Sequence, residues 1–251
     1  MRSPLTLAAA QIPCVPIDIE QNVAAHAAVL AAAAAAGARV VLFTELSLTG
    51  YELESIATRL PELAVREDDS RLEPLRAACA RYGVYAIVGG ILAVENGYTL
   101  SALVFDDRGA LSATYAKRHL HGIEAEIFTP GTDFTVLEVD GHRLGLAICA
   151  DVNYPEHAAG VVAAGAEIYL AGALYLSGKE IRRDGHMSAR AVENNCWTVL
   201  SAYTGEFEGN RTTGGSGIWS PDGVLFARAD PGADLVVATL GSQSAAGSSR
   251  P

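Results

Sequence analysis

The chain has 251 residues, half of them hydrophobic and 19% charged, with a formal net charge of -11 and a sequence pI of about 4.9. That length suits one large core, and that composition excludes an intrinsically disordered chain. Marked acidity without a Lys/Arg run excludes nucleic acid and anionic membrane surfaces as partners.

At the N-terminus, Pro4 interrupts a very short apolar run and Gln11 ends it, so Leu5 to Ile12 reads as a strand rather than a secretory leader. Ile19 to Ala36 reads as a helix, because alanine has the highest helix propensity and Gly37 suits a C-cap. Its Ala24–Ala36 stretch, broken by His26, is too short to span a membrane. Val40 to Phe43 reads as a buried strand of the parallel type, and Thr44-Glu45 follows it. Leu72 to Arg81 has the pattern of an amphipathic helix closed by Gly83. Tyr85 to Leu92, Ser101 to Phe105 and Leu111 to Tyr115 read as strands. Turns at Asn96-Gly97 and Asp107-Arg-Gly109 separate them.

After Lys117 the pattern loosens. His119 to Gly131 reads as an ordered loop, since it carries Leu120, Ile123, Ile127 and Phe128. Val136 to Val139 and Leu144 to Ile148 are paired strands around Gly141, and the second stops abruptly at Cys149. Pro155 to Ala164 reads as a helix with Pro155 in its first turn. A strand at Ile168 to Ala171 and a helix at Lys179 to Asn195 follow. The last strands are Trp197 to Ala202, Gly217 to Trp219, Val224 to Phe226 and Leu235 to Leu240. The Gly/Ser/Ala-rich tail at 240–251 reads as a flexible end. Helices alternate with strands and hairpins also occur, which implies an α/β fold with a mixed sheet or two sheets covered by helices. No stretch reads as a linker, so 1–251 is taken as one domain.

Three reactive side chains sit just past the ends of buried strands: Glu45, Lys117 and Cys149. In open α/β sheets, ligands gather beyond the carboxyl ends of the strands. A cysteine on a sharp strand-to-helix turn is held clear of the sheet beside free backbone N–H groups. A glutamate can take the thiol proton as general base, and the attack gives a thioester. A lysine ammonium can hold the thiol as thiolate and stabilise an oxyanion together with the N–H of Ala150. Taken singly, each residue also has a plain reading: Cys149 as a packed thiol, Glu45 as a solvated strand end, Lys117 as a surface lysine.

The words around these residues change the balance. Phe43-Thr-Glu45-Leu-Ser-Leu-Thr-Gly50-Tyr51, Tyr115-Ala-Lys117-Arg-His-Leu120 and Cys149-Ala-Asp151-Val-Asn-Tyr-Pro155-Glu156 occur in this order. Together they resemble the nitrilase superfamily of carbon–nitrogen hydrolases, whose members use a Glu–Lys–Cys triad. Arg190-Ala-Val-Glu193-Asn194 and Gly215-Ser216-Gly217-Ile-Trp-Ser-Pro221-Asp-Gly223 extend the resemblance, which runs from about Leu5 to Leu240.

The resemblance implies Glu45 as general base, Lys117 as catalytic lysine and Cys149 as nucleophile. It also implies a second glutamate four residues before the phenylalanine of a Phe-x-Pro-Gly stretch. Glu124 fits, ahead of Phe128-Thr-Pro-Gly131, and Glu126 is the competing choice. The implied fold is a four-layer αββα sandwich that forms a homodimer or a larger homo-oligomer. The short Gly/Ser-rich C-terminus departs from relatives that exchange C-terminal segments across the dimer.

Cys149-Ala150-Asp151 matches the Cys-x-Asp of amidases and carbamoylases rather than the Cys-Trp-Glu of nitrilases proper. The reading is therefore an enzyme for small amide or carbamoyl substrates that needs no metal, nucleotide or organic cofactor. Ala150, Ala173 and Tyr175 are candidate pocket residues. Asp151, Tyr154 and Glu156 are candidates for support of the site, with capping of the following helix as the other reading of Asp151 and Glu156. His119 and His121 lack metal-ligand neighbours, so no zinc site is expected. Thr213 to Gly217 reads as a turn, and Trp197 and Trp219 as core. An acyltransferase, or a relative that binds without catalysis, stays open as an alternative. Cys14, Cys79, Cys149 and Cys196 show no disulfide or zinc spacing, which suits a reducing cytoplasm.

Overall fold

The computed structural model describes residues 3–241, so most of the expected tail, from 242 on, lies outside the described residues. Two six-stranded mixed sheets stack face to face, with helices on their outer faces. This is the expected αββα sandwich.

The first sheet contains β1 (Leu5–Ala10), β2 (Val40–Leu42), β3 (Tyr85–Val94), β4 (Gly97–Phe105) and β5 (Leu111–Ala116). It is completed by β14 (Leu235–Leu240) at the edge beside β1. The second runs in the order β13 (Leu225–Arg228), β12 (Gly217–Trp219), β9 (Trp197–Ala202), β8 (Ile168–Ala173), β7 (His142–Ile148), β6 (Val136–Val139). Each sheet has three parallel strands at its heart: β1, β2 and β3 in one, β7, β8 and β9 in the other. Those strands lie between a facing sheet and a helical layer, which explains their unbroken apolar runs.

On the first sheet's outer face, α1 (Ile19–Ala35) packs beside α3 (Glu73–Tyr82). The α1 helix starts where Asp18 accepts the N–H of Gln21 at 2.9 Å. Its buried residues Ile19, Val23, Leu30 and Ala33 recur at helical spacing. On the second sheet, α5 (Pro155–Ala163) packs beside α6 (Glu180–Asn194).

Other elements depart from the sequence reading. Helix α2 (Leu53–Leu63) forms in spite of Pro61, with Arg59 out of helical geometry at the resulting kink. The ordered loop after Lys117 contains one helical turn, α4 (Glu124–Ile127). A short hairpin pairs β10 (Glu206–Phe207) with β11 (Asn210–Arg211) around Glu208 and Gly209, both at positive φ. Its polar sequence carries no alternation to announce a strand. Trp219 lies in the core, whereas Trp197 is only half-buried, edge-on to an exposed Phe226 at 5.3 Å.

Two glycines bring the sheets together where the chain leaves β2. A Cβ at Gly89 of β3 would overlap the carbonyl oxygen of Thr44 and lie 2.5 Å from the nitrogen of Leu46. A Cβ at Gly172 of β8 would lie 2.9 Å from the nitrogen of Glu45. The Phe43–Leu46 segment therefore threads between the sheets, and Glu45 is delivered into the interior rather than to the surface.

Candidate active site

Strands β2 and β5 run in the same direction in one sheet, and β7 lies in the other. The chain past their ends supplies Glu45, Lys117 and Cys149. Glu45 and Lys117 are each 1% exposed and Glu124 is fully buried. Lys117 Nζ donates to Glu45 Oε1 at 2.6 Å and to both oxygens of Glu124 at 2.7 Å. Glu124 also accepts the backbone N–H of His121 at 2.7 Å and the hydroxyl of Tyr51. Glu126, the competing glutamate, is exposed on the same turn.

The two glutamates differ in what remains free. All the acceptor capacity of Glu124 faces donors. Among the described residues, Glu45 Oε2 is buried with no hydrogen-bond partner. A buried carboxylate oxygen without a donor is costly, so it is ready to take up a proton. Burial drives the Glu45 carboxyl up to about 7, with the charge of Glu124 adding to the rise and Lys117 opposing it. Burial disfavours the Lys117 ammonium, but Glu45, the Cys149 site and Glu124 outweigh it and hold the charge well above the usual range.

Cys149 sits at φ 44° and Leu46, next to Glu45, at φ 48°. Such left-handed geometry at non-glycine residues stores local strain and persists only where the surroundings impose it. Cys149 heads a short turn of 3-10 helix running to Asn153, whose first N–H groups have no partner within the turn. Its Sγ lies 3.8 Å from the carbonyl oxygen of Leu174.

Burial and then the Glu45 charge push the Cys149 thiol up, and Lys117 pulls it down.

The remaining candidates divide. Ala150 is buried in the turn beside Cys149. Tyr175 is 9% exposed, one residue beyond Leu174, and its hydroxyl meets His186 Nδ1 at 3.3 Å. Ala173 is fully buried in the core, and its carbonyl accepts the hydroxyl of Thr44 at 3.3 Å. Asp151 does not cap α5 with its side chain. Its oxygens turn back to Ile148, Tyr115 and His119.

Sequence reasoning gave no role to Tyr51, though it lies within the Glu45 motif. Its bond to Glu124 joins residues 73 apart, and no local pattern encodes that. Phe207 of the β10–β11 hairpin packs edge-on against Tyr51 at 5.2 Å.

Three comparisons bear on this arrangement. The carbon–nitrogen hydrolase family model matches residues 6–248. A hydrolase encoded in the region 5′ of pqqF in Pseudomonas protegens is 31% identical over 238 residues, 93% of this chain and 81% of that protein. The 2-oxoglutaramate amidase of Bacillus subtilis is 26% identical over 212 residues, 83% of this chain and 80% of that one. Among solved structures, an amidase from Nesterenkonia sp. superposes with a TM-score of 0.85 at 27% identity, covering 96% of this chain and 91% of that one. In one structure of that amidase, the acetamide moiety of fluoroacetamide is covalently attached to the active-site cysteine.

Proposed function

This chain belongs to the carbon–nitrogen hydrolase family, and from that premise we propose that it is an amidase that cleaves small amides through a thioester on Cys149. The observation that carries the reading is the unpartnered Glu45 Oε2, buried in a Glu45–Lys117–Glu124 cluster beside a cysteine on a left-handed turn.

The resting thiol keeps its proton, so attack requires a base. Glu45 takes that proton as Sγ bonds to the amide carbonyl carbon. The oxyanion that forms faces the Lys117 ammonium and the N–H of Ala150. Glu45 returns the proton to the departing nitrogen, the C–N bond breaks, and ammonia or an amine leaves. Water then attacks the thioester, Glu45 takes one of its protons, and the acid departs as the thiol is restored. Glu124 holds Lys117 from the far side, and Tyr51 holds Glu124. Tyr175 and Ala150 border the substrate.

Substrate class is supported by the relatives. The names of the B. subtilis protein and the Nesterenkonia protein both denote action on amides. We read residues 1–251 as one catalytic unit working in the cytoplasm; no helix of the described residues is long and apolar enough to cross a membrane. A homodimer through α6 is supported by the exposed Ile181 and Val192 on that helix, with open space at Gly185 between them. The test is a panel of small amides and carbamoyl compounds followed by ammonia release. Turnover of amides that falls by about 10⁴-fold or more in Cys149→Ala supports the reading. Wild-type rates in Cys149→Ala would overturn it.

A further inference from the structure

Behind the cysteine turn lies a buried polar chain that the mechanism above does not use. Tyr115 OH donates to Asp151 Oδ2 at 2.6 Å, and the N–H of Ile148 donates to the same oxygen at 3.0 Å. The other oxygen, Oδ1, accepts the N–H of His119 at 3.0 Å and lies 2.8 Å from His119 Nδ1. Farther back, His157 Nε2 lies 2.7 Å from Tyr115 OH and His157 Nδ1 lies 3.0 Å from Tyr169 OH.

The donors fix one another. The Tyr115 hydroxyl proton goes to the carboxylate, so the Tyr115 oxygen accepts the Nε2 proton of His157. His157 Nδ1 then accepts from Tyr169. Burial holds His157 down at about 4, so it stays neutral and this tautomer persists at physiological pH. Every bond in the chain runs toward Asp151, and all but His119 are buried.

The positions matter as much as the bonds. Tyr115 and His119 flank Lys117, two residues to either side, and Ile148 directly precedes Cys149. One carboxylate therefore ties the Lys117 segment of one sheet to the Cys149 turn of the other. The left-handed geometry at Cys149 needs such an external constraint. We infer that Asp151 is the positioning residue of this site: it sets the distance between Lys117 and the Cys149 thiol, with Tyr115, His157 and Tyr169 as its support. The inference rests on the reading of Cys149 as nucleophile and Lys117 as its partner.

Asp151→Asn keeps the size of the side chain but loses the acceptor that two donors share. The readout is alkylation of Cys149 by 2-chloroacetamide, located by peptide mass analysis in fully folded protein well below the melting midpoint. A displaced thiol should react about 10²-fold more slowly than in the wild type, and kcat for amides should fall while KM stays within about threefold. Tyr115→Phe keeps the ring and both N–H bonds to Asp151, and should slow alkylation about tenfold. It decides the matter alone if Asp151→Asn does not fold. A role confined to stability would lower the melting midpoint and leave alkylation of the folded protein at the wild-type rate. That result overturns the inference and leaves the amidase reading intact. Wild-type Cys149 reacting no faster than Cys14 would overturn the amidase reading, and this inference with it.

Discussion

Replacing Lys117 with methionine removes the ammonium and keeps an unbranched side chain of similar length. Glu45 and Glu124 then face each other across the space that Nζ held at 2.6 and 2.7 Å. At an effective dielectric of about 20, two charges about 5 Å apart repel by about 3 kcal/mol. Breaking a buried ion pair on one side costs about 3–5 kcal/mol. In a chain of this length, about 4 kcal/mol corresponds to a fall of about 10 °C in melting midpoint. That loss should depend on pH, and its sign follows from Glu45. Loss of Lys117 removes the influence that lowers the Glu45 carboxyl, so its folded value moves above about 7, away from the ordinary 4.5. A carboxyl raised in the folded state stabilises the fold where it is protonated and loses that contribution as pH rises through the folded value. Melting curves of Lys117→Met should therefore show most of the deficit at pH 9 and little at pH 5. Lys117→Met combined with Glu124→Gln should recover much of the loss at pH 9. An equal deficit at both pH values, or a larger one at pH 5, would refute the charge cluster as described.

Activity should rise with pH as Glu45 loses its proton. The kcat/KM of the wild type is predicted to climb through about pH 7, and a flat profile down to pH 5 would remove Glu45 as base. Gly172→Ala should cost about 1–3 kcal/mol by forcing Glu45 and Phe43 away from β8, and should lower kcat more than its melting midpoint alone explains. Unchanged kcat and midpoint would contradict the close approach of the sheets. If the proposed dimer forms through α6, Ile181→Asp should shift the mass measured by light scattering from dimer to monomer, because a charge there would go unpaired against an apolar face. A wild-type monomer would dismiss the dimer.

Much of this molecule is legible in its sequence, and the reasons are local. Strands β9, β12 and β14 fall on their expected spans because an apolar run between turn residues is a local signal, wherever its partner strand lies. The ends of β2, β5 and β7 point to Glu45, Lys117 and Cys149 for the same reason. Helix α2 was hidden by Pro61, whose cost is met by burial of Leu53, Ile56 and Leu63. The role of Tyr51 and the partners of Asp151 were hidden by distance along the chain, since Glu124 lies 73 residues from Tyr51 and Tyr115 lies 36 residues from Asp151. Electrostatics of a buried cluster depends on all its charges, and sequence spacing names them without showing which ones meet.

The most direct test is the acyl-enzyme. Wild-type protein mixed with a small amide and quenched in acid during turnover should gain the mass of one acyl group, lost again with hydroxylamine and located by peptide analysis at Cys149. Glu45→Gln, which lacks the base for both the thiol and the water, should show neither adduct nor turnover. An adduct on another residue would contradict the central claim. So would turnover of Glu45→Gln at the wild-type rate.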